Sequence, residues 1–402
     1  LSAVSLVDSI NVLLIQAFSA LAAGGAIVCA QYIGQKNYER ANMSARQVLF
    51  IITAISVAVS AICLIFQKPL LRLIFGAVEA DVMRASETYF FYTALSFPFI
   101  AAYDSAASIF RAQDNTKGPM LISMISNVMN IGGNAILIWV FHMGVAGAAI
   151  STLVSRIFCA VVVLYQLRKD RQPIVVRDYL KIRPDWAMIR RILGLGIPSG
   201  IENSMFQLGK LAIQSTVSTL GTAAIAAQAM TNILENLNGI AAIGVGVGLM
   251  TIVGQCLGAG RKDEAVYYIK KLCVIAEVVI IVSCLTVYAL ARPVTILGSM
   301  EKTSAAMCIH MVTWITIVKP LVWTMAFVPG YGLRAAGDVK FSMITSCCTM
   351  WACRFCLCVF LIRVMGFGPM GVWIGMFADW TIRGIIFTWR FHSRRWLEHK
   401  VI

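Results

Sequence analysis

QYIGQKNYERA at 31–41 and GQCLGAGRKDEA at 254–265 are two versions of one phrase, and each closes a long apolar run. At a spacing of 224 residues, Gln31 meets Gln255, Gly34 meets Gly258 and Ala41 meets Ala265. Working outward at nearly the same spacing, Pro69 meets Pro293, and Gly144, Gly147 and Ile150 meet Gly368, Gly371 and Ile374. At 223, Arg111 and Lys117 meet Arg334 and Lys340; at 222, Pro98 meets Pro320. Short loop insertions produce such small drifts, and the fixed order of matches reads as an internal duplication. Each repeat holds an even number of apolar runs, so both halves point the same way, the parallel-repeat arrangement with a pseudo-two-fold axis along the membrane normal.

The runs between these matches are long enough to cross lipid. A helix needs about 20 apolar residues to span the hydrocarbon core. Eleven runs qualify, at about 4–31, 47–66, 86–110, 118–141, 145–167, 190–218, 224–256, 268–290, 305–332, 342–363 and 369–390. The 402 residues are 59% hydrophobic and 13% charged, against about 25% charged in a soluble domain. The net charge of +15 does not argue for nucleic acid, because the basic residues sit in short loops between apolar runs. Twelve cysteines, including the pair Cys353 and Cys356, lie mostly inside those runs and read as packing residues, with a metal or redox site the lesser alternative. The chain opens at Leu1 with no basic n-region or cleavage site.

Basic residues orient the runs. The segment Arg168–Arg191 is the richest in Arg and Lys and is expected on the cytoplasmic side. By alternation the loops bearing Lys36/Arg40, Arg111/Lys117, Arg261/Lys262 and Arg334/Lys340 join it, as does the tail with Arg394, Arg395 and Lys400. The loop with Lys68, Arg72 and Arg84 runs against the rule. In the duplication Leu1 aligns with Ile225, and the run 190–218 has no counterpart ahead of it; a further N-terminal helix is therefore expected in the native protein, making twelve.

The repeated motifs resemble those of the MATE (multidrug and toxic compound extrusion) transporters of the MOP superfamily. Residues 31–41 and 254–265 look like that family's QxxGAxxxxxA signature. RAQDNTK (111–117) and RAAGDVK (334–340) look like its RaxGDtk loop, and GVAGAAI (144–150) and GPMGVWI (368–374) like its GvxGAAiA helix entry. The resemblance spans the chain. It implies an all-α polytopic membrane protein of two parallel six-helix lobes: 1–170, an inter-lobe cytoplasmic loop 171–189, 190–390, and a cytoplasmic tail 391–402. It also implies a multidrug antiporter of the cell membrane, not an enzyme, working by alternating access between the lobes. The exported compounds would be amphipathic, often cationic organic molecules, exchanged for H⁺ or Na⁺, with no cofactor. Partners would be small-molecule substrates and the lipid bilayer, with no nucleic acid and a monomer expected. The alternatives are a lipid-linked saccharide flippase of the same superfamily, a membrane enzyme or a scaffold.

Ionisable groups inside apolar runs are the first places to look for transport chemistry. Glu202 lies one turn after Pro198, and Lys210 two turns further on the same face. Glu235, with Asn232, Asn236 and Asn238, makes a polar stripe. Asp104 and Lys319 stand in other runs, as does Arg354. A Glu235–Lys210 or Glu202–Lys210 network that merely fixes helices is the plain alternative. Some relatives carry N-x-x-N-x-x-x-D here; this chain has Asn127, Asn130 and Asn134, an amide in place of the acid, which ligates or hydrogen-bonds but carries no proton. Gly34 and Gly258 are expected to end helices in left-handed caps, and Asp338 to pair with Arg334. Pro98 and Pro320 are expected to kink their runs.

Overall fold

The computed structural model describes residues 2–76 and 78–402, and among them it is helical with no strand. Fourteen α-helices follow one another. They are α1 (Ser2–Gly34), α2 (Tyr38–Ile65), α3 (Gln67–Phe75), α4 (Ala80–Leu95), α5 (Phe97–Ala112), α6 (Lys117–Asn134) and α7 (Val145–Leu167), then α8 (Trp186–Val217), α9 (Thr222–Gly258), α10 (Lys262–Leu297), α11 (Lys302–Ala335), α12 (Val339–Thr349), α13 (Leu357–Arg363) and α14 (Met370–Ser393). Two π-helical stretches, Ala135–Val140 and Met350–Cys356, extend α6 and join α12 to α13. Each of the eleven apolar runs falls on helix. Nine helical segments among the described residues are long and apolar enough to cross a membrane. The two runs outside that set are 86–110, which is split into α4 and α5, and 190–218, which lies on α8.

The chain divides into two compact units, one ending at Ser204 and the other spanning Met205–Val401, so the division falls within α8. In the first unit α1 packs on α2, α4 and α5, and α7 packs on α4, α5 and α6. In the second, α9 packs on α10 and α11, and α14 on α11, α13 and the π stretch. The packing order is therefore repeated element by element: α1 matches α9, α4–α5 matches α11, α6 matches α12–α13 and α7 matches α14.

The backbone repeats too. Ten of the twelve described residues at positive φ fall in matched pairs: Lys36 (60°) with Gly260 (74°), Gly76 (64°) with Ser299 (52°), Asp114 (64°) with Gly337 (95°), His142 (53°) with Gly366 (69°), and Gly144 (60°) with Gly368 (66°). The left-handed turn that follows α1 and α9 thus sits two residues beyond the expected Gly34 and Gly258, which remain helical.

The units differ at their prolines. Proline supplies no N–H to the carbonyl four residues back, so a helix must kink or break there. Before Pro69 the first unit breaks at Phe66, and before Pro98 it breaks at Ser96. The second runs α10 through Pro293 and α11 through Pro320 without interruption. At the Ser96 break the hydroxyl donates to the Thr93 carbonyl and accepts from Arg156 Nη1 at 2.6 Å. Those bonds replace part of what the helix loses.

Candidate functional site

The densest ionic cluster lies inside the second unit, on helices whose neighbours are otherwise apolar. Lys319 of α11, immediately before Pro320, is fully buried. Its Nζ donates to Glu235 Oε1 of α9 at 2.8 Å, to the Glu235 carbonyl at 3.2 Å and to Asn238 Oδ1. The polar stripe on α9 is thus the cradle of a lysine. Glycine 239 is what lets the ammonium in, since a Cβ there would stand 3.1 Å from Lys319 Nζ. The faces of Trp323 and Trp380 lie 5.3 and 5.8 Å from the same nitrogen, an arrangement that stabilises a cation by the ring quadrupole.

One carboxylate serves two guanidinium groups nearby. Asp379 of α14 has no exposed side-chain surface, and it accepts from Arg354 Nη2 at 3.0 Å and from Arg383 Nη2 at 3.1 and 3.2 Å. Arg383 also reaches Thr349 Oγ1 at 3.3 Å. Arg354 rides on the π stretch between α12 and α13. Gly375 of α14 permits that stretch to come close: a Cβ there would sit 3.0 Å from the Arg354 carbonyl. The Arg354 Nε is buried with no partner. Three cations converge on the ring of Phe206: Arg354 at 4.6 Å, Lys210 at 5.2 Å and Arg383 at 5.6 Å. Lys210 makes no ion pair among the described residues, so Glu235 is joined to Lys319 and not to Lys210.

The first unit is different in kind. Asp104 of α5 has a buried Oδ2 with no hydrogen-bond partner. Asp8 of α1 accepts from Tyr89 Oη at 2.8 Å, and Arg111 Nη2 donates to Ser108 Oγ at 2.9 Å. Asn130 accepts from Ser151 Oγ through both its side-chain oxygen, at 3.1 Å, and its carbonyl, at 3.0 Å. Asn134 Oδ1 is buried without a partner, while Asn127 is exposed. No hydrogen bond joins these three amides to Asp104 among the described residues. Asn11 of α1 is buried and leaves both side-chain atoms unpartnered. Glu202, also in this unit, is buried on α8.

Of the residues singled out from sequence, the structure brings together Glu235, Lys319, Lys210 and Arg354. It adds Asp379 and Arg383, which reading for apolar runs passed over. The signal was present: Asp379 and Arg383 stand one helical turn apart inside the apolar run 369–390, the spacing of a facing ion pair. Asp8 was passed over in the same way. The expected Asp338–Arg334 pair is replaced: Asp338 accepts from Arg390 Nε at 2.8 Å and lies 3.1 Å from His399 Nε2, while Arg334 stacks on Tyr331 at 4.5 Å.

The family model described as MatE matches residues 1–136 and 198–360. The chain is 24% identical to the uncharacterized transporter YisQ of Bacillus subtilis, over 99% of this chain and 87% of that protein. It is 23% identical to the probable multidrug resistance protein NorM of Thermotoga maritima, over 94% of this chain and 82% of that one. Among solved structures, the outward-facing conformation of a multidrug resistance MATE family transporter of the MOP superfamily superposes with a TM-score of 0.89. It has 19% identity and covers 98% of this chain and 87% of that chain.

Proposed function

Because the chain belongs to the MatE family, and so is a multi-pass membrane efflux transporter and not an enzyme, we propose that it exports amphipathic organic compounds in exchange for H⁺ or Na⁺, with Asp104 as the coupling carboxylate. It would do so by alternating access between two lobes, in the cell membrane, as a monomer with its C-terminus cytoplasmic. The observation that carries the coupling assignment is the buried, unpartnered Oδ2 of Asp104. A carboxylate oxygen held away from water with nothing to accept from is costly. Binding a proton or a metal cation relieves that cost, and releasing it restores it, which is the cycle a coupling group needs. Glu235 is a weaker candidate because it is already joined to Lys319, and the amides Asn127, Asn130 and Asn134 carry no proton.

The family resemblance supports a cationic cargo, whereas the charges of the second unit favour the opposite sign. The test uses the full-length protein in proteoliposomes. Efflux of a cationic dye and of an aromatic carboxylate is followed under a pH gradient and, separately, a sodium gradient, for wild type and Asp104→Asn. One gradient is expected to drive efflux, and Asp104→Asn to abolish that response. Efflux insensitive to both gradients removes the antiport reading. An unimpaired Asp104→Asn removes Asp104 from it.

A further inference from the structure

In the second unit three buried cations, Lys319, Arg354 and Arg383, and the exposed Lys210 beside them meet two carboxylates. Lys319 is balanced by Glu235, and Arg354 and Arg383 share Asp379. Lys210 has no ion pair among the described residues, and Glu277 of α10 makes none with any of the four. Uncompensated positive charge among membrane helices is expensive and is retained where it meets a ligand. The missing partner is marked by three features. Arg354, 2% exposed, has a buried Nε with nothing to donate to. Lys210, an exposed residue, stands over the same aromatic ring as Arg354. That ring, Phe206, and Phe327, 4.9 Å from Arg383, offer flat apolar surface beside the charges.

We propose that Arg354, Lys210 and the ring of Phe206 form a binding site for the acidic group and aromatic body of a small amphipathic organic anion. A guanidinium with a free N–H and an adjacent ammonium suit a carboxylate or phosphate oxygen, through charge-assisted hydrogen bonds. Asp379 holds Arg354 and Arg383 in place without neutralising both. The site deepens the exporter reading by naming its substrate class, and rests on that reading only for the claim that the bound anion is cargo.

The probe is 2-naphthoate, with the matched cation 2-naphthyltrimethylammonium, titrated into the full-length protein in nanodiscs by calorimetry. Naphthoate is expected to bind and the cation to bind at least about tenfold more weakly, because one hydrogen bond to a charged group is worth that much or more. Lys210→Gln, at an exposed position with no ion pair to lose, is expected to weaken naphthoate about tenfold, and Lys210→Arg to restore most of it. Equal or tighter binding of the cation overturns the proposal, as does an unchanged affinity in Lys210→Gln. In a further arm the nanodiscs carry a polyprenyl phosphate. If that lipid displaces naphthoate and naphthoate is not moved in proteoliposomes, the site belongs to a lipid headgroup and the small-anion assignment falls. Binding of naphthoate with no gradient-driven efflux of any probe overturns the antiport reading and leaves this site standing; gradient-driven dye efflux with no naphthoate binding does the reverse.

Discussion

The two units share a helix order and a backbone, yet the buried atoms they leave without partners have opposite character. In the first they include the oxygens of Asp104, Asn134 and Asn11; in the second they are the nitrogens Arg354 Nε and Trp380 Nε1. The hydroxyls of Ser86 and Thr324, able to act either way, and the Asn11 amide nitrogen stand outside this division. At the 224-residue spacing Asn11 matches Glu235, Ser155 matches Asp379, Cys159 matches Arg383 and Asn130 matches Arg354. The last match is also structural: the Asn130 carbonyl takes the Ser151 hydroxyl, and the Arg354 carbonyl faces Gly375, the residue at the position of Ser151. At these four positions the first copy carries neutral side chains, and the second carries two carboxylates and two guanidinium groups. One scaffold can hold two ligand chemistries because the helix positions are fixed by packing while the groups projected from them are not.

The difference can be pressed at matched positions. The largest effect is expected for Asp379→Asn, which leaves two buried guanidinium groups with no counter-charge and should cost about 3–5 kcal/mol. Ser155→Ala, at the matching place in the first unit, removes only a hydroxyl and should cost under about 1 kcal/mol. Thermal unfolding in detergent separates them, and equal losses would erase the contrast. Next, a double-mutant cycle of Glu235→Gln and Lys319→Met should return a coupling of about 1–3 kcal/mol, whereas Asn11→Gln combined with Lys319→Met should be additive. Smaller again is Ser96→Ala, expected to cost about 1–2 kcal/mol through the lost Arg156 bond at the helix break. The smallest pair lies in the matched turns. Gly260→Ala should lose about 1 kcal/mol at its left-handed φ, and Lys36→Gly should gain up to about 1 kcal/mol at the same conformation. Both are read from the same unfolding curves.

Much of this architecture was legible before any coordinates. Every apolar run became helix, and the motif matches at 223–224 residues are flanked by matched positive-φ turns. What escaped the sequence depends on contacts distant along the chain. Pro98 and Pro320 look alike in sequence, but only the first is preceded by a serine held by an arginine from another helix, and only there does the helix break. Asp338 finds Arg390, 52 residues on, in preference to the arginine four residues before it, because α14 brings that guanidinium alongside. Glu235 and Lys319 were each visible as ionisable groups in apolar runs. Their pairing, and the claim of Asp379 on two arginines, emerged only from the packing of α9 on α11 and of α14 on the π stretch.

The division of labour between a cation-accepting first unit and an anion-accepting second unit meets its most direct test in Asp104→Asn. Full-length protein carrying this change is assayed for naphthoate affinity and for naphthoate efflux with and without an imposed pH or sodium gradient. Wild-type affinity and downhill exchange with no acceleration by either gradient is the predicted result. An Asp104→Asn protein whose efflux still follows the gradient, or whose naphthoate affinity falls with its coupling, would contradict it.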